Sequence, residues 1–141
     1  MKGIVLDHFN NKMAFDMASK VIALAESRNQ HIAIEVCRLH HTVVLYVDDG
    51  LSMDKHHWLR RKSNVARQFE ESSLSVKQTL SERGMTLEKN FGLDAKDFVA
   101  KGGAIPLFVK GAGMVGIITV SGLKDEEDHA IILDALQGKY V

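Results

Sequence analysis

Apolar positions early in the chain change from a helical period to a strand period. Residues 13–28 carry apolar side chains at intervals of three and four, including Met13, Val21 and Leu24, which predicts an amphipathic helix. The next two runs, HIAIEVCRL and TVVLYVDD, are rich in β-branched residues and flank His40 and His41. They predict an antiparallel hairpin.

The middle of the chain returns to helical spacing. From about Met53 the pattern predicts helix, with a break or bend at Ser72–Ser73 and an end at Gly84. The segment GLDAKDFVAKGG then predicts a short helix with Asp94 as its N-cap and Gly102 as its stop.

The last third predicts a second hairpin and a closing helix. AIPLFVK and MVGIITVSG are apolar and β-branched, and EEDHAIILDALQG has a helical pattern. We expect Asp125 to cap this helix, Asp128 to replace the usual acid of a capping box, and Gly138 to end it. Together the elements predict an α/β (α+β) fold of one domain over residues 1–141, a single antiparallel sheet with helices packed on its faces.

Gly111, Gly113 and Gly116 match the dinucleotide-binding spacing G-x-G-x-x-G. That motif needs a helix directly after the glycines, because the helix N-terminus holds the pyrophosphate. A β-branched run follows here instead. The glycines therefore predict a hairpin turn with positive φ angles at Gly111 and Gly113.

Charge and composition narrow the function classes. The 141 residues include 18 Lys plus Arg and 18 Asp plus Glu, so no overall basic field favours nucleic acid or an anionic membrane. The one cysteine, Cys37, lies in an apolar run and is interpreted as a buried small hydrophobe. Asp7 and His8 interrupt the stretch where a signal peptide needs its apolar core. We expect a cytoplasmic protein with neither membrane nor nucleic-acid partners.

Three longer motifs occur in a fixed order: HHWLRRKSNVARQFEESS, KGGAIPLFVKGAGMVGIITVSGL and DEEDHAIILDAL. In them the chain resembles the haem-degrading domain family, and within it a small cytoplasmic branch of unassigned function. The resemblance runs from about Phe15 to Leu136. Relatives in this family include secreted haem-binding proteins, glycolate-operon companions and the C-terminal domain of a corrinoid adenosyltransferase.

The resemblance implies a profilin-like domain with a five-stranded antiparallel sheet and helices on both sides. The pattern above contains only four strands, so the fifth is expected either in NFGL or near the N-terminus. The resemblance also implies homo-oligomers built from dimers and small, flat or tetrapyrrole-like ligands, haem among them. It supplies no catalytic residues.

A basic cluster in WLRRKSNVAR is the first candidate site. Arg60, Arg61, Lys62 and Arg67 fall within two helical turns, and Arg60 shares a face with Asn64 and Arg67. Guanidinium groups match planar anions, so haem propionates or a phosphorylated metabolite would suit the cluster. The alternative is a solvated helix face that pairs with nearby glutamates or with a neighbouring subunit.

Two further candidates lie in the second half of the chain. Ser121 and Gly122 leave room for a ligand at the sheet edge, near Asp128 and His129, whose alternative roles are a helix cap and a partly buried polar residue. AKGGAIP offers a close-approach loop, a simple helix stop or a subunit contact, and Pro106 indicates an edge position.

The histidines indicate no shared metal site. His56 and His57 diverge by about 100° on a helix, and His40 and His41 face opposite sides of a hairpin. Any single histidine is still a candidate axial haem ligand.

Two functions from different classes follow. The first is a small-molecule-binding oligomer, for haem or another tetrapyrrole-like or anionic metabolite; the second is a non-enzymatic adaptor that recruits a protein partner. An enzymatic role is left open, although no nucleophile has an identifiable base, which counts against it. The candidate ligand-binding residues are Trp58, Arg60, Arg61, Lys62, Gly102, Gly103, Ser121, Gly122, Asp128 and His129.

Overall fold

The computed structural model describes residues 2–141, which form five strands and five helices. The strands are β1 (Ile4–Leu6), β2 (Ala33–Arg38), β3 (Thr42–Val47), β4 (Ala104–Val109) and β5 (Gly113–Ser121). The helices are α1 (Asn11–Ser27), α2 (Met53–Phe69), α3 (Ser73–Arg83), α4 (Leu87–Phe91) and α5 (Asp125–Leu136). No helix within residues 2–141 has the length and apolar character needed to cross a bilayer.

The strands form one sheet in the order β1-β4-β5-β2-β3. Both predicted hairpins are present, and β2 also pairs antiparallel with β5. The predicted fold class is therefore confirmed, with one difference. The sheet is mixed, because β1 runs parallel to β4. A strand that comes from the distant N-terminus is not bound by a tight turn, so antiparallel pairing is not imposed on it.

The strand that the pattern left unassigned is β1, near the N-terminus, which was one of the two expected locations. The other alternative, NFGL, is wrong: it contains the end of α4 and the C-cap Gly92. Thr86 starts α4 there, since its Oγ1 accepts a hydrogen bond from the Lys89 amide at 3.1 Å. The pattern does not reveal β1 because only three residues, Ile4–Leu6, are extended.

The two faces of the sheet carry different helices. The α1 and α5 helices cover one face, where side chains such as Ile34, Ile105 and Ile118 form the larger apolar core. The α2 helix covers the other face, where Ala66 packs with Ala104 in a small cluster. Helices on both faces are as predicted.

The glycine motif forms a turn between β4 and β5. Gly111 has a φ of +79° and Gly113 a φ of +83°, and the chain enters β5 at Gly113 without forming a helix. The Ala112 amide donates to the Val109 carbonyl at 2.9 Å, which closes the turn. The predicted hairpin is confirmed, and the dinucleotide loop is excluded by the absence of a following helix at residues 113–121.

The predicted break within the long helical segment is also present. The α2 and α3 helices are separate, and Ser72 is the N-cap of α3. Its Oγ accepts a hydrogen bond from the Ser75 amide at 3.2 Å. The short helix predicted after Asp94 is wrong, since only one turn forms there. Its carbonyl groups are engaged by side chains of α2: Arg61 Nη2 donates to the Ala95 oxygen at 2.7 Å.

Pro106 does not mark an edge strand. It lies in β4, which is paired on both sides, but β1 pairs only from Leu107 onward. Pro106 therefore occupies the part of β4 that β1 leaves uncovered, where a missing amide donor breaks no ladder bond on that side.

Candidate ligand-binding site

A cleft of about 170 Å³ opens where the start of α2, the end of β5 and the start of α5 meet. We call it the Trp58 cleft. It is lined by Lys55, Trp58, Lys62, Lys101, Ser121, Gly122, Leu123, Asp125 and Asp128. The predicted candidates among these are Trp58, Lys62, Ser121, Gly122 and Asp128.

The floor of the Trp58 cleft is a buried ion pair between Lys62 and Asp128. The Lys62 Nζ lies 2.9 Å from Asp128 Oδ2, and the two side chains are only 2% and 3% exposed. The Nζ also donates to the carbonyl oxygens of Val120 at 2.6 Å and Gly102 at 3.1 Å. These three acceptors match the three hydrogens of an ammonium group, so every donor of Lys62 is satisfied.

Burial acts on both members of this pair. It lowers the pKa of Lys62 and raises the pKa of Asp128 to about 6, because a low-dielectric interior disfavours either charge, and the attraction between the two opposes both shifts. The three acceptors around Nζ favour the ionised pair at neutral pH. An ammonium group has no lone pair for attack, so Lys62 acts as a structural cation and not as a nucleophile.

Gly102 and Gly103 make room for the lysine. A Cβ on Gly103 would lie 2.6 Å from Lys62 Nζ and 2.4 Å from the Val120 oxygen, and its φ of +132° also favours glycine. The predicted close-approach loop is therefore present. The group that approaches it in this structure is Lys62.

The start of α5 differs from the predicted cap. Lys124 is the N-cap, and Asp125 is the first helical residue. Asp128 Oδ1 accepts from the Leu123 amide at 3.0 Å while its other oxygen binds Lys62. The capping box between Asp125 and Asp128 is wrong, because an ammonium group is a stronger partner for each carboxylate than a helix amide.

Asp125 joins the cleft to α3. Its Oδ2 accepts from Lys77 Nζ at 2.7 Å and from the Gly102 amide at 3.1 Å. Burial would raise the pKa of Asp125, but the hydrogen bonds from Lys77 and Gly102 outweigh it and lower the pKa to about 2. The carboxylate of Asp125 is therefore ionised and already paired.

Two lysines of the cleft carry uncompensated charge. Lys55 and Lys101 form no ion pair with any residue in the part of the chain that the structure describes. Ser121 Oγ donates to the Lys55 carbonyl, which fixes the backbone of α2 beside the end of β5. The net charge around the cleft is thus positive, since Lys62 and Asp125 are each matched by an opposite charge.

The predicted basic cluster is not brought together. Arg60 pairs with Asp97 at 2.9 Å, and Arg61 donates to the Ala95 carbonyl while its guanidinium carbon lies 5.2 Å from the centre of the Trp58 ring. Lys62 points inward instead. Consecutive residues of a helix diverge by about 100°. Arg60, Arg61 and Lys62 therefore point to different places: an exposed aspartate, the Trp58 ring and the buried floor of the cleft.

Two arginines of α2, Arg60 and Arg67, border a second, wider depression of about 480 Å³ between α2 and the β2–β3 hairpin. We call it the histidine groove. His40, His41, His56, Arg60 and Arg67 are among its lining residues. Arg67 Nη1 donates to the Leu39 carbonyl at 2.8 Å and forms no ion pair in the described range.

Two other residues considered in the sequence are buried: His129 lies outside both depressions, and Cys37 lines the histidine groove. His129 is 9% exposed, and burial lowers its pKa; it does not line the Trp58 cleft. Cys37 is 4% exposed, and burial raises the pKa of its thiol, so the interpretation as a buried hydrophobe is confirmed. Within residues 2–141, no three His, Cys, Asp or Glu side chains are placed to hold a metal ion.

Four cleft residues were missed by the sequence analysis: Lys55, Lys101, Leu123 and Asp125. A signal exists for Lys55, which precedes Trp58 by three positions and so lies on the same helix face. No local signal marks Lys101, because its place in the cleft depends on how the segment before β4 packs against the start of α5, where the Gly102 amide donates to Asp125 Oδ2.

The fold and the cleft together define the structural class of the protein. It is an α/β protein with a five-stranded mixed sheet and a small polar cleft at the end of a central strand. Residues 9–137 match the family described as Haem degrading protein HbpS-like. The chain belongs to this family, which confirms the resemblance.

Relatives and solved structures agree with this assignment. The chain is 37% identical to a UPF0303 protein of Zymomonas mobilis over 131 residues, which cover 93% of this chain and 70% of the relative. The crystal structure of the Ybr137w protein has a TM-score of 0.86 at 26% identity, covering 94% of this chain and 79% of the other. The crystal structure of a PduOC:heme complex has a TM-score of 0.74 at 16% identity, covering 94% of each chain, and shows the common fold.

Proposed function

We propose that this protein binds a small anionic molecule in the Trp58 cleft. The observation that carries the proposal is the positive charge of Lys55 and Lys101 beside an aromatic side chain, over a floor whose own charges are paired. An unmatched cation in a concave, partly apolar site favours an anionic ligand. The satisfied state of Lys62 argues for binding rather than covalent chemistry.

We further propose that the protein acts in the cytoplasm as a homo-oligomer built from dimers. A single, free, buried cysteine suits a reducing compartment. The edge strand β3 exposes Leu45 on one face and Tyr46 on the other, and its unpaired edge suits strand pairing with a second copy.

Native mass spectrometry of freshly purified protein tests both proposals. We expect a multiple of the chain mass plus a retained small-molecule mass, which denaturation releases. An oligomer without any added mass would favour the adaptor function, and a monomer would contradict the assembly.

Haem binding is a second candidate, supported by the family and by the PduOC:heme complex among the structural neighbours. The Trp58 cleft does not fit a haem, because pockets for large ligands measure about 300–1,000 Å³ and no histidine lines this cleft of about 170 Å³. The histidine groove, at about 480 Å³, fits better. One of His40, His41 and His56 would ligate the iron there, and Arg60 or Arg67 would pair with propionates.

A haem titration followed at the Soret band tests this second candidate. We expect a saturable shift that is lost or weakened in one of the variants His40→Ala, His41→Ala and His56→Ala. His31→Ala is the matched control, since His31 is exposed and does not line the groove. An unchanged Soret band in the wild-type chain would rule haem out while leaving the Trp58 cleft proposal intact.

A further inference from the structure

We infer that the ligand of the Trp58 cleft is a flat organic acid with a single ring, bound with its carboxylate toward Lys55 and Lys101 and its ring against Trp58. This inference rests on the proposed function and names the chemical class of the ligand. Three independent features of the cleft lead to it: its size, its charge and its aromatic wall.

Size limits the ligand to about one ring. A cavity of about 150 Å³ holds one benzene molecule. The Trp58 cleft, at about 170 Å³, therefore holds a six-membered ring with a small substituent, and any further ring of a ligand would extend out of the cleft into solvent.

Charge selects an acid. Five ionisable side chains line the cleft, and three of them are already paired: Lys62 with Asp128, and Asp125 with Lys77 of α3. The two that are left, Lys55 and Lys101, are both cations. A neutral ligand would leave these charges unmatched, whereas a carboxylate gains charge-assisted hydrogen bonds from them.

The buried lysine does not compete for this carboxylate. All three hydrogens of Lys62 Nζ are donated within the chain, to Gly102, Val120 and Asp128. Moving one of them to a ligand would leave a buried acceptor without its partner. The acid group is therefore held at the mouth of the cleft, not at its floor.

The aromatic wall selects a flat ring. Trp58 lines the cleft, and the Arg61 guanidinium carbon lies 5.2 Å from the centre of the indole ring. This contact, together with the hydrogen bonds from Arg61 to the Ala95 carbonyl, holds the ring in place before a ligand arrives. A preorganised indole offers an offset-stacking or edge-to-face contact that an aliphatic acid of the same charge does not gain.

Trp58 is the only tryptophan among the 141 residues, so its fluorescence reports on this cleft alone. The experiment titrates the full chain with three probes: benzoate, benzamide and acetate. We expect saturable quenching by benzoate, with benzamide and acetate each at least about tenfold weaker, as the loss of one charge-assisted hydrogen bond or one stacked ring predicts.

Lysine variants separate the charge from the shape. Lys55→Gln and Lys101→Gln should each weaken benzoate by about tenfold and leave benzamide unchanged. Lys12→Gln is the matched control, since Lys12 is an exposed lysine of α1 on the opposite side of the sheet and should change nothing.

The outcomes separate this inference from the proposed function. Equal affinity for benzamide and benzoate would overturn the acid and, with it, the anionic ligand of the proposed function. Equal affinity for acetate and benzoate would overturn the ring alone and leave an anion site in the cleft. If no probe binds, the inference fails, and the mass retained in native mass spectrometry then decides whether the cleft binds another kind of molecule.

Discussion

The sheet face under α1 and α5 and the sheet face under α2 differ in what they bury. The first holds a continuous apolar core, in which Ile34, Ile105, Ile118 and Val120 are fully buried. The second holds small side chains such as Ala104, and from its helix α2 Lys62 reaches the end of the sheet to form a buried ion pair with Asp128 of α5. Both regions are shielded from water, but only the second contains buried charge.

This difference shows where stability and binding reside. Apolar packing on the first face is tolerant of exchange among similar side chains and offers no polar group to a ligand. On the buried face of α2, Lys62 lies at a position that an apolar side chain would usually occupy. Its charge requires two carbonyl groups and a carboxylate as partners. Those partners lie at the ends of strands and helices, where the cleft forms.

The largest expected effect follows from breaking the ion pair. Lys62→Met keeps the size and apolar stem of the side chain but leaves Asp128 buried without a cation, and we expect a loss of about 3–5 kcal/mol in the free energy of unfolding. Urea denaturation followed by circular dichroism measures it.

A double variant tests whether unpaired charge is the cause. In Lys62→Met/Asp128→Asn the introduced side-chain amide still accepts from the Leu123 backbone amide but carries no charge, so about 2 kcal/mol should return. If the second substitution adds a further loss instead, the pair does not act as a charge pair.

The second prediction concerns pH and distinguishes the two faces. Asp128 has a pKa of about 6 in the folded chain, against about 3.9 when unfolded. Between pH 4 and 6 the folded state therefore holds a proton that the unfolded state has lost, and the contribution of Asp128 to stability falls as pH rises, on the order of 2–3 kcal/mol in total.

Stability curves measured from pH 4 to 6 for the wild-type chain, Asp128→Asn and Ile118→Ala test this sign. The difference between wild type and Asp128→Asn should fall with pH, whereas Ile118→Ala should lower stability equally at every pH, since Ile118 belongs to the apolar face. A flat difference for Asp128→Asn would contradict the raised pKa.

The third prediction uses two glycines with positive φ. Gly103→Ala forces a Cβ to within 2.6 Å of Lys62 Nζ, while Gly111→Ala adds a Cβ with no atom within 4 Å. Both variants bear backbone strain of about 1–2 kcal/mol, but crowding should add about 1–3 kcal/mol at Gly103 alone. Thermal denaturation of the two variants measures the difference, and equal losses would show that Lys62 Nζ and the Val120 carbonyl both give way to the added Cβ.

Local sequence patterns predicted most of the helices and strands. They did not predict the pairing of strands that lie far apart in the chain. The α1 helix, both hairpins and the break at Ser72 follow from the order of neighbouring residues. The strand β1 is too short for a period, and its parallel partner β4 lies about a hundred positions away. The parallel pairing therefore could not be read from neighbouring residues.

The sequence contains a signal for the buried Lys62–Asp128 pair, but the neighbouring arginines of α2 made Lys62 look like part of an exposed basic cluster. Lys62 was grouped with its basic neighbours, yet helical spacing places it between Leu59 and Ala66 on the buried face of α2. Asp128 likewise shares its face of α5 with Ile131 and Ile132. A base on one apolar helix face and an acid on another predict a pair, whereas the close approach of Gly103 depends on tertiary packing.

The smallest expected effect concerns the ion pair between Arg60 and Asp97, whose length of 2.9 Å equals that of Lys62 and Asp128. Its side chains are about half exposed, so water screens the attraction and solvates either partner when the other is removed. Arg60→Gln should therefore lower the free energy of unfolding by less than about 1 kcal/mol in urea denaturation, and the effect should shrink further in high salt. A loss as large as that of Lys62→Met would mean that burial is not what separates the two pairs, because length and charge are the same in both.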